Sequence, residues 1–343
     1  MAEPAPRATP RIQLAHGGGG TLMQQLIDGE LRRLYADPDQ VLHDAARLCL
    51  PHGRLAFTTD SYVVRPLEFE GGDIGSLAVT GTANDLAMAG ARPLVLSLGL
   101  ILEEGLELAL LRRIVDSLAA TARQCGMAIV TGDTKVVERG KGDGAFLNTS
   151  GIGLLEVVDP IDPRAIVAGD QLLVSGDLGR HGVAILAARH GLDLQPPLAT
   201  DCKPLWPAVE ALLAAGVRLH CLRDLTRGGL ASALQELAAP NGLELLVEEE
   251  RIPVAESVRR TCDLLGFDPL HLANEGRFLA VVPEADRQRA LEVLAPGGGA
   301  WIGRVAEPGP GAARHRGRVL LRTPYGSERV LVPLSGELLP RIC

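Results

Sequence analysis

The sequence predicts an α/β (α+β) protein built from two domains and completed by a C-terminal arm. Three observations lead there. At 343 residues the chain exceeds one ordinary core, so two domains of roughly 100 to 170 residues each are expected. Short apolar runs closed by Asp or Gly alternate with stretches whose apolar residues recur three and four apart, as buried strands between helices do. Finally, Asp159-Pro160-Ile161-Asp162-Pro163 interrupts the chain near its middle, because each proline disfavours helix at the residue before it. The expected units are a leader with a glycine loop and helix over 1–42, a first domain over 43–163, a second over 164–323 and the arm over 324–343.

Residues 1–10, rich in Ala and Pro and without periodicity, predict a flexible leader. The run Gly17, Gly18, Gly19 and Gly20 then feeds a helix predicted over 22–34, an arrangement that turns backbone N–H groups outward. Apolar runs place strands at 55–59, 128–131 and 146–155, with helices over 74–89 and 107–125 between them. Beyond the break come a strand at 171–175, helices at 181–190 and 230–239, a strand at 243–247, a helix at 254–265, and strands at 278–282 and 300–305. From Pro324 onward no period is visible, and the ending Leu338-Leu339-Pro340-Arg341-Ile342-Cys343 has the character of an arm rather than a core element.

Acidic residues outnumber basic ones, 42 to 34, and the net charge of -8 argues against a broad nucleic-acid surface. The longest strongly apolar run, residues 94–102, falls well short of the roughly 20 residues of a membrane span. The N-terminus lacks a charged-then-apolar signal segment, so a cytoplasmic protein is expected. Six cysteines occur without a C-x-x-C pair, which fits neither a disulfide framework nor a zinc site. Five are expected to be small core residues, whereas Cys343 is the last residue.

Four signals carry chemistry. Aspartates stand where strands are predicted to end, Asp60, Asp133 and Asp224, the position at which ligands commonly meet α/β sheets. Asp73 after Gly71-Gly72 and Asp85 in Gly81-Thr82-Ala83-Asn84-Asp85 extend the set, and hard divalent ions take such carboxylates together with phosphate oxygens. The ordinary explanation of each aspartate is a helix cap or turn, except for Asp85, which interrupts an apolar helix with no capping duty. Glycines at 17–20, at 71–72 and in Thr226-Arg227-Gly228-Gly229 are candidate phosphate cradles, although loop flexibility explains any one of them alone. No Walker sequence is present, so a phosphate site must be of another type.

Lys135 in Gly132-Asp133-Thr134-Lys135 and Glu275 in Ala273-Asn274-Glu275-Gly276 form the third signal. A lysine there holds phosphate charge and a glutamate moves protons, against the plain alternative of two solvated charges. His16 is a further candidate, with a structural hydrogen-bonding role as the alternative. The fourth signal is the Cys343 thiol, on a proline-containing arm able to travel to a partner. Its neighbouring carboxylate hinders thiolate formation, so it requires an activated reagent. An incidental terminal cysteine or an intermolecular disulfide is the alternative.

The strings Leu14-Ala15-His16-Gly17-Gly18-Gly19-Gly20, Gly71-Gly72-Asp73-Ile74-Gly75, Gly81-Thr82-Ala83-Asn84-Asp85-Leu86, Ile129-Val130-Thr131-Gly132-Asp133-Thr134-Lys135-Val136-Val137, Ala273-Asn274-Glu275-Gly276 and Pro340-Arg341-Ile342-Cys343 together resemble the HypE family of hydrogenase maturation proteins, from about Ile12 to the last residue. The resemblance implies the superfamily of aminoimidazole ribonucleotide synthetase and selenophosphate synthetase, with residues 43–163 binding ATP and forming a homodimer. It implies that a carbamoyl group, received from a HypF-like carbamoyltransferase, sits on Cys343 as a thiocarbamate. ATP-dependent dehydration then gives a thiocyanate, and a HypC–HypD complex takes the cyanide toward the iron of [NiFe]-hydrogenase.

On that basis Cys343, Lys135, Glu275 and His16 are expected to be catalytic. ATP and Mg2+ are expected at the glycines 17–20, Asp60, Asp73, Asn84, Asp85, Asp133, Asn148, Asp224, Thr226, Arg227 and Asn274, with Asp60, Asp85, Asp133 and Asp224 on the metal. Arg180, Leu225 and Gln235 depart from the family pattern, and no role is assigned to Arg180 or Gln235. A selenophosphate synthetase is the competing enzyme, against which counts the lack of a reactive Cys and a Lys in the 17–20 segment. A nucleotide-binding scaffold with a docking tail is the competing non-enzyme.

Overall fold

A computed structural model describes residues 10–35, 45–308, 317–332 and 341–343. The expected leader, residues 1–10, lies almost wholly outside the described residues, as does 333–340 of the expected arm. The helix predicted over 22–34 begins as α1 (Thr21–Leu26) and continues through a π turn at Ile27–Leu31 and a 3-10 turn at Arg32–Leu34. Gly29 in the middle disfavours regular helix, while Leu26, Leu31 and Leu34 still bury one apolar side.

The first domain contains β1 (Leu55–Tyr62), the short ribbon β2 (Glu68–Phe69) and β3 (Gly72–Asp73), α2 (Ile74–Met88), β4 (Ala91–Glu103), α3 (Leu108–Gln124), β5 (Ala128–Val137) and β6 (Ala145–Leu155). Its four-stranded sheet runs β1-β6-β4-β5, with only β4 and β5 parallel. Leu96, Leu98, Leu100 and Leu102 alternate onto the face that α2 and α3 cover. The opposite face is left open among the described residues: Phe57 of β1 is 69% exposed, and Ile101, further along the same face on β4, is exposed as well. The central strand β4 was legible in the sequence only as an apolar run.

The second domain contains β7 (Gln171–Val174), α4 (Arg180–His190), α5 (Trp206–Ala214), β8 (Cys221–Asp224), α6 (Gly229–Asn241), β9 (Glu244–Glu248), α7 (Glu256–Leu265), β10 (Phe278–Val282), α8 (Arg287–Leu294), β11 (Ala300–Ala306), β12 (Arg318–Arg322) and β13 (Glu328–Val330). Its sheet runs β13-β12-β9-β11-β7-β10-β8, with only β9 and β12 parallel. β13 falls inside the segment read as an arm, a correction to that expectation. All three of its residues are exposed, so no apolar alternation betrays it, and the backbone pairing with β12 alone defines it.

The buried Asn84 of α2 joins the two domains. Its side chain accepts from Leu205 N at 2.8 Å and donates to the carbonyls of Lys203 and Glu275 at 3.2 and 3.1 Å. An amide supplies both donors and an acceptor at one position, which no apolar residue does.

Candidate active site

Where α2 meets the end of β8, a cavity of about 210 Å³ is lined by Thr59, Asp60, Tyr62, Gly81, Asp85, Arg223, Asp224, Thr226, Arg227, Glu275 and Cys343. Seven of the sequence-predicted residues therefore meet here: Asp60, Asp85, Asp224, Thr226, Arg227, Glu275 and Cys343. Asp85 interrupts α2 because it faces this cavity, accepting from Thr58 Oγ1 at 2.8 Å. Gly81, one turn earlier, makes room for the buried Tyr62, whose hydroxyl a Cβ at that position would overlap. Arg227 stands beside the N-terminus of α6, makes no ion pair among the described residues, and suits phosphate.

Burial and crowding of the carboxyls set the electrostatics of the cavity. Burial first, then the charge of Asp85, pushes Asp224 up to about 7, although Arg223 lies 3.7 Å away and opposes the shift. Burial also raises Asp85, against the hydrogen bond from Thr58. Glu275 is raised well above the ordinary carboxylate range by burial and then by Asp224, Asp201, Asp60 and Asp85. One oxygen of Glu275, Oε1, is buried without a hydrogen-bond partner, so it is open to a group entering the cavity.

The terminal tripeptide is seated in the protein rather than displayed outside it. The Cys343 carbonyl accepts from Val63 N at 3.1 Å, and the Ile342 side chain is buried in the first domain's core. Burial, followed by Glu275, pushes the Cys343 thiol up to about 12, with Arg227 opposing. The thiol is therefore kept protonated in this position.

Among the described residues, no three His, Cys, Asp or Glu side chains enclose a metal ion by themselves. Asp60, Asp85 and Asp224 nevertheless converge on one cavity with no lysine lining it. Such a donor set fits magnesium, which binds through one or two carboxylates and completes its shell with water and substrate phosphate.

The other predicted residues fall elsewhere. Asp133 and Lys135 pair with one another at 3.1 Å on the exposed side of β5. Asp60 and Asp133 were both expected at strand ends, but each lies within a strand, and only Asp224 ends one. Asp133 is in register with Gly99, Gly99 with Asn148, and Asn148 with Ser61, so Asp133 and Asp60 point to opposite faces of the sheet. Within one protomer the four expected metal aspartates thus do not meet. The glycine loop lies near Asp133 and Lys135 instead, with Gly17 against Val136. His16 hydrogen-bonds Gln13 locally, on the same side of the molecule.

Four more expected ligands have internal duties. Asp73 caps α2 through Ser76 N at 2.8 Å, the ordinary explanation weighed for it. Asn148 donates to the carbonyl of Asp60 and to Ser61 Oγ, both at 2.9 Å, bracing the strand that carries Asp60. Asn274 is buried between the carbonyls of Leu225 and Leu272 and the N–H of Gly179, so it shapes the loop before Glu275. Asn84, as described above, spans the domains.

Sequence reasoning missed Tyr62, Arg223, Asp143 and His181. Arg223 directly precedes the predicted Asp224, while the others carry no local signal. The unassigned Arg180 pairs with Asp177 at 2.5 Å, which also holds the buried Arg277. Gln235 of α6 donates to the Leu331 carbonyl at 2.6 Å, and Leu225 is simply core.

Known proteins place this architecture. The AIR synthase related protein family matches with its N-terminal domain over residues 42–155 and its C-terminal domain over 167–315. The carbamoyl dehydratase HypE of Rhodobacter capsulatus is 48% identical over 339 residues, covering 97% of this chain and 98% of that protein. That of Escherichia coli (strain K12) is 46% identical, covering 97% and 99%. A hydrogenase maturation protein HypE solved in complex with ATP superimposes with a TM-score of 0.91 at 46% identity, covering 96% of this chain and 99% of that one. A HypE–HypF complex matches with a TM-score of 0.75 at 38% identity, over 91% and 99% of the chains. The tail-end cysteine, the acidic cavity and these near-complete likenesses agree, and the chain belongs to the HypE family of carbamoyl dehydratases.

Proposed function

We propose that this protein dehydrates a carbamoyl group carried on Cys343 at the expense of ATP, converting the thiocarbamate to a thiocyanate. The observation that carries the proposal is the seating of Cys343 in one cavity with Asp60, Asp85, Asp224 and the unpartnered Glu275 Oε1. Amide oxygen is a poor leaving group. Attack of the carbamoyl oxygen on the ATP γ-phosphorus forms a C–O–P link and releases ADP. Cleavage of that C–O bond with loss of the two N–H protons then leaves the nitrile and inorganic phosphate.

Each side chain has a part in this scheme. Asp60, Asp85 and Asp224 would hold magnesium, which neutralises phosphate charge and so favours phosphoryl transfer. Arg227 and the N-terminus of α6 orient the triphosphate. Glu275 exchanges the nitrogen-bound protons, since its burial makes the ionised carboxylate an unusually strong base.

Asp133, Lys135 and the 17–20 loop enter through a second copy of the chain. The uncovered sheet face bearing Phe57 and Ile101 supports a homodimer formed by these strands. The pair Asp133 and Lys135 occupies that face and is available to the partner's cleft. A HypF-like carbamoyltransferase would load Cys343 and a HypC–HypD complex would accept the cyanide, in the cytoplasm. Among the described residues no helix is long and apolar enough to cross a membrane.

Intact-mass analysis tests the chemistry. Incubation with the carbamoyl donor is expected to add one carbamoyl group to the terminal peptide, and hydrolysable ATP then to remove one water's mass from it. Glu275→Gln is expected to stop at the carbamoyl stage. A terminal peptide unmodified under both conditions overturns the proposal.

A further inference from the structure

The last three residues are gripped one by one, and by both domains. From the first domain, Asp143 pairs with the Arg341 guanidinium, Arg65 N donates to the Arg341 carbonyl at 3.4 Å, and Val63 N donates to the Cys343 carbonyl at 3.1 Å. From the second, Arg189 donates to the Arg341 carbonyl and His181 Nε2 donates to the Ile342 carbonyl at 2.9 Å. The His181 ring is fully buried, its Nδ1 lies 2.8 Å from Thr200 Oγ1, and its edge meets Phe69 with the ring centres 5.5 Å apart. With Nε2 occupied as the donor, Nδ1 accepts from the threonine hydroxyl.

Asp143 is fixed in advance of any tail. Glu103, at the end of β4, accepts from Gly140 N at 2.6 Å and Gly144 N at 2.9 Å, closing the loop that presents Asp143. Asp143 also receives Arg65 at 3.2 Å, so its carboxylate is shared between the wall of the socket and the tail. The guanidinium of Arg341 lies over the Phe146 ring, 5.7 Å from its centre. Arg341 itself has φ +59°, a left-handed backbone that a residue with a side chain keeps only where contacts over-determine it.

We propose that Asp143 and His181 are positioning residues that form a socket reading the tail's Arg-Ile-Cys end. Asp143 recognises the arginine side chain and His181 fixes the peptide carbonyl immediately before the cysteine. Together they set the height at which the sulfur-borne carbamoyl group stands in the acidic cavity. Because the grips come from both domains, a docked tail ties the two together, and a tail without the arginine loses the side-chain contact with Asp143. The inference rests on the dehydratase reading only for its kinetic consequence.

Two measurements separate the socket from the chemistry. The first is the rate of iodoacetamide labelling of Cys343, quantified on the terminal peptide without ATP; the second is single-turnover dehydration of carbamoylated protein. Asp143→Arg and Arg341→Asp are each expected to speed labelling and slow dehydration roughly tenfold, as loss of a charge-assisted hydrogen bond implies. The double charge swap is expected to recover both rates toward the parent. His181→Phe keeps the ring volume but loses the donor, and is expected to act in the same direction. Arg341→Ala lies on the tail, so its effect is independent of domain folding. Labelling unchanged in Arg341→Ala and Asp143→Arg overturns the socket, and faster labelling with unaltered dehydration overturns the positioning role. A parent protein that labels as expected but never dehydrates removes the proposed chemistry and leaves the socket standing.

Discussion

Thr58 Oγ1 donates to Asp85 Oδ2 at 2.8 Å, tying β1 to the one carboxylate that interrupts α2. The bond lowers an Asp85 carboxyl that burial raises, so it helps keep that group available as an anion.

Removing the donor while keeping the shape, by Thr58→Val, is expected to weaken magnesium-ATP binding about tenfold, the scale of one hydrogen bond to a charged group. Asp85→Asn is expected to weaken it further. Titration calorimetry with magnesium and ATP measures both, and parent-like affinity in Asp85→Asn removes that residue from the metal site.

Asp224 predicts a pH dependence of stability. Its carboxyl goes from the ordinary 3.8 to about 7 in the fold, chiefly through burial, so folding favours its protonated form. The stabilisation is fully present below pH 3.8 and is lost as pH rises through about 7. Magnesium-free protein should therefore melt at progressively lower temperature across that window, and Asp224→Asn should flatten the profile and melt higher above neutrality. Asp85 and Glu275 shift in the same direction and leave a residual slope. Melting curves against pH in a chelator test this, and identical slopes in parent and variant contradict it.

Subunit mixing tests the place of Lys135. Lys135→Ala and Cys343→Ala are each expected to be inactive alone. If Lys135 serves the partner's cleft, a mixed dimer holds one site with both groups intact, and the mixture regains dehydration. Continued inactivity after verified subunit exchange excludes a role across the dimer.

Legibility in the sequence tracked the range of the signal. Asp85 was visible because a carboxylate inside an apolar helix breaks a local rule, and Glu275 because it stands beside a glycine just ahead of an apolar strand. Asp133 was misgrouped with Asp60 for want of register, since only the pairing across β1, β6, β4 and β5 determines which sheet face each occupies. Asp143 and His181 could not be found at all, because their partner is a tripeptide about 160 to 200 residues further along the chain, and no periodicity records such a contact. The edge strand β13 was equally silent, being fully exposed.

The hydrogen bonds that hold Leu331, from its N–H to Val319 at 2.9 Å and to its carbonyl from Gln235 at 2.6 Å, fasten the root of the tail to the second sheet. Twelve residues run from there to Cys343. Fully drawn out, they measure roughly 40 Å. That length is a leash: whatever exchanges a group with the sulfur must bring its own reactive centre within this radius of Leu331.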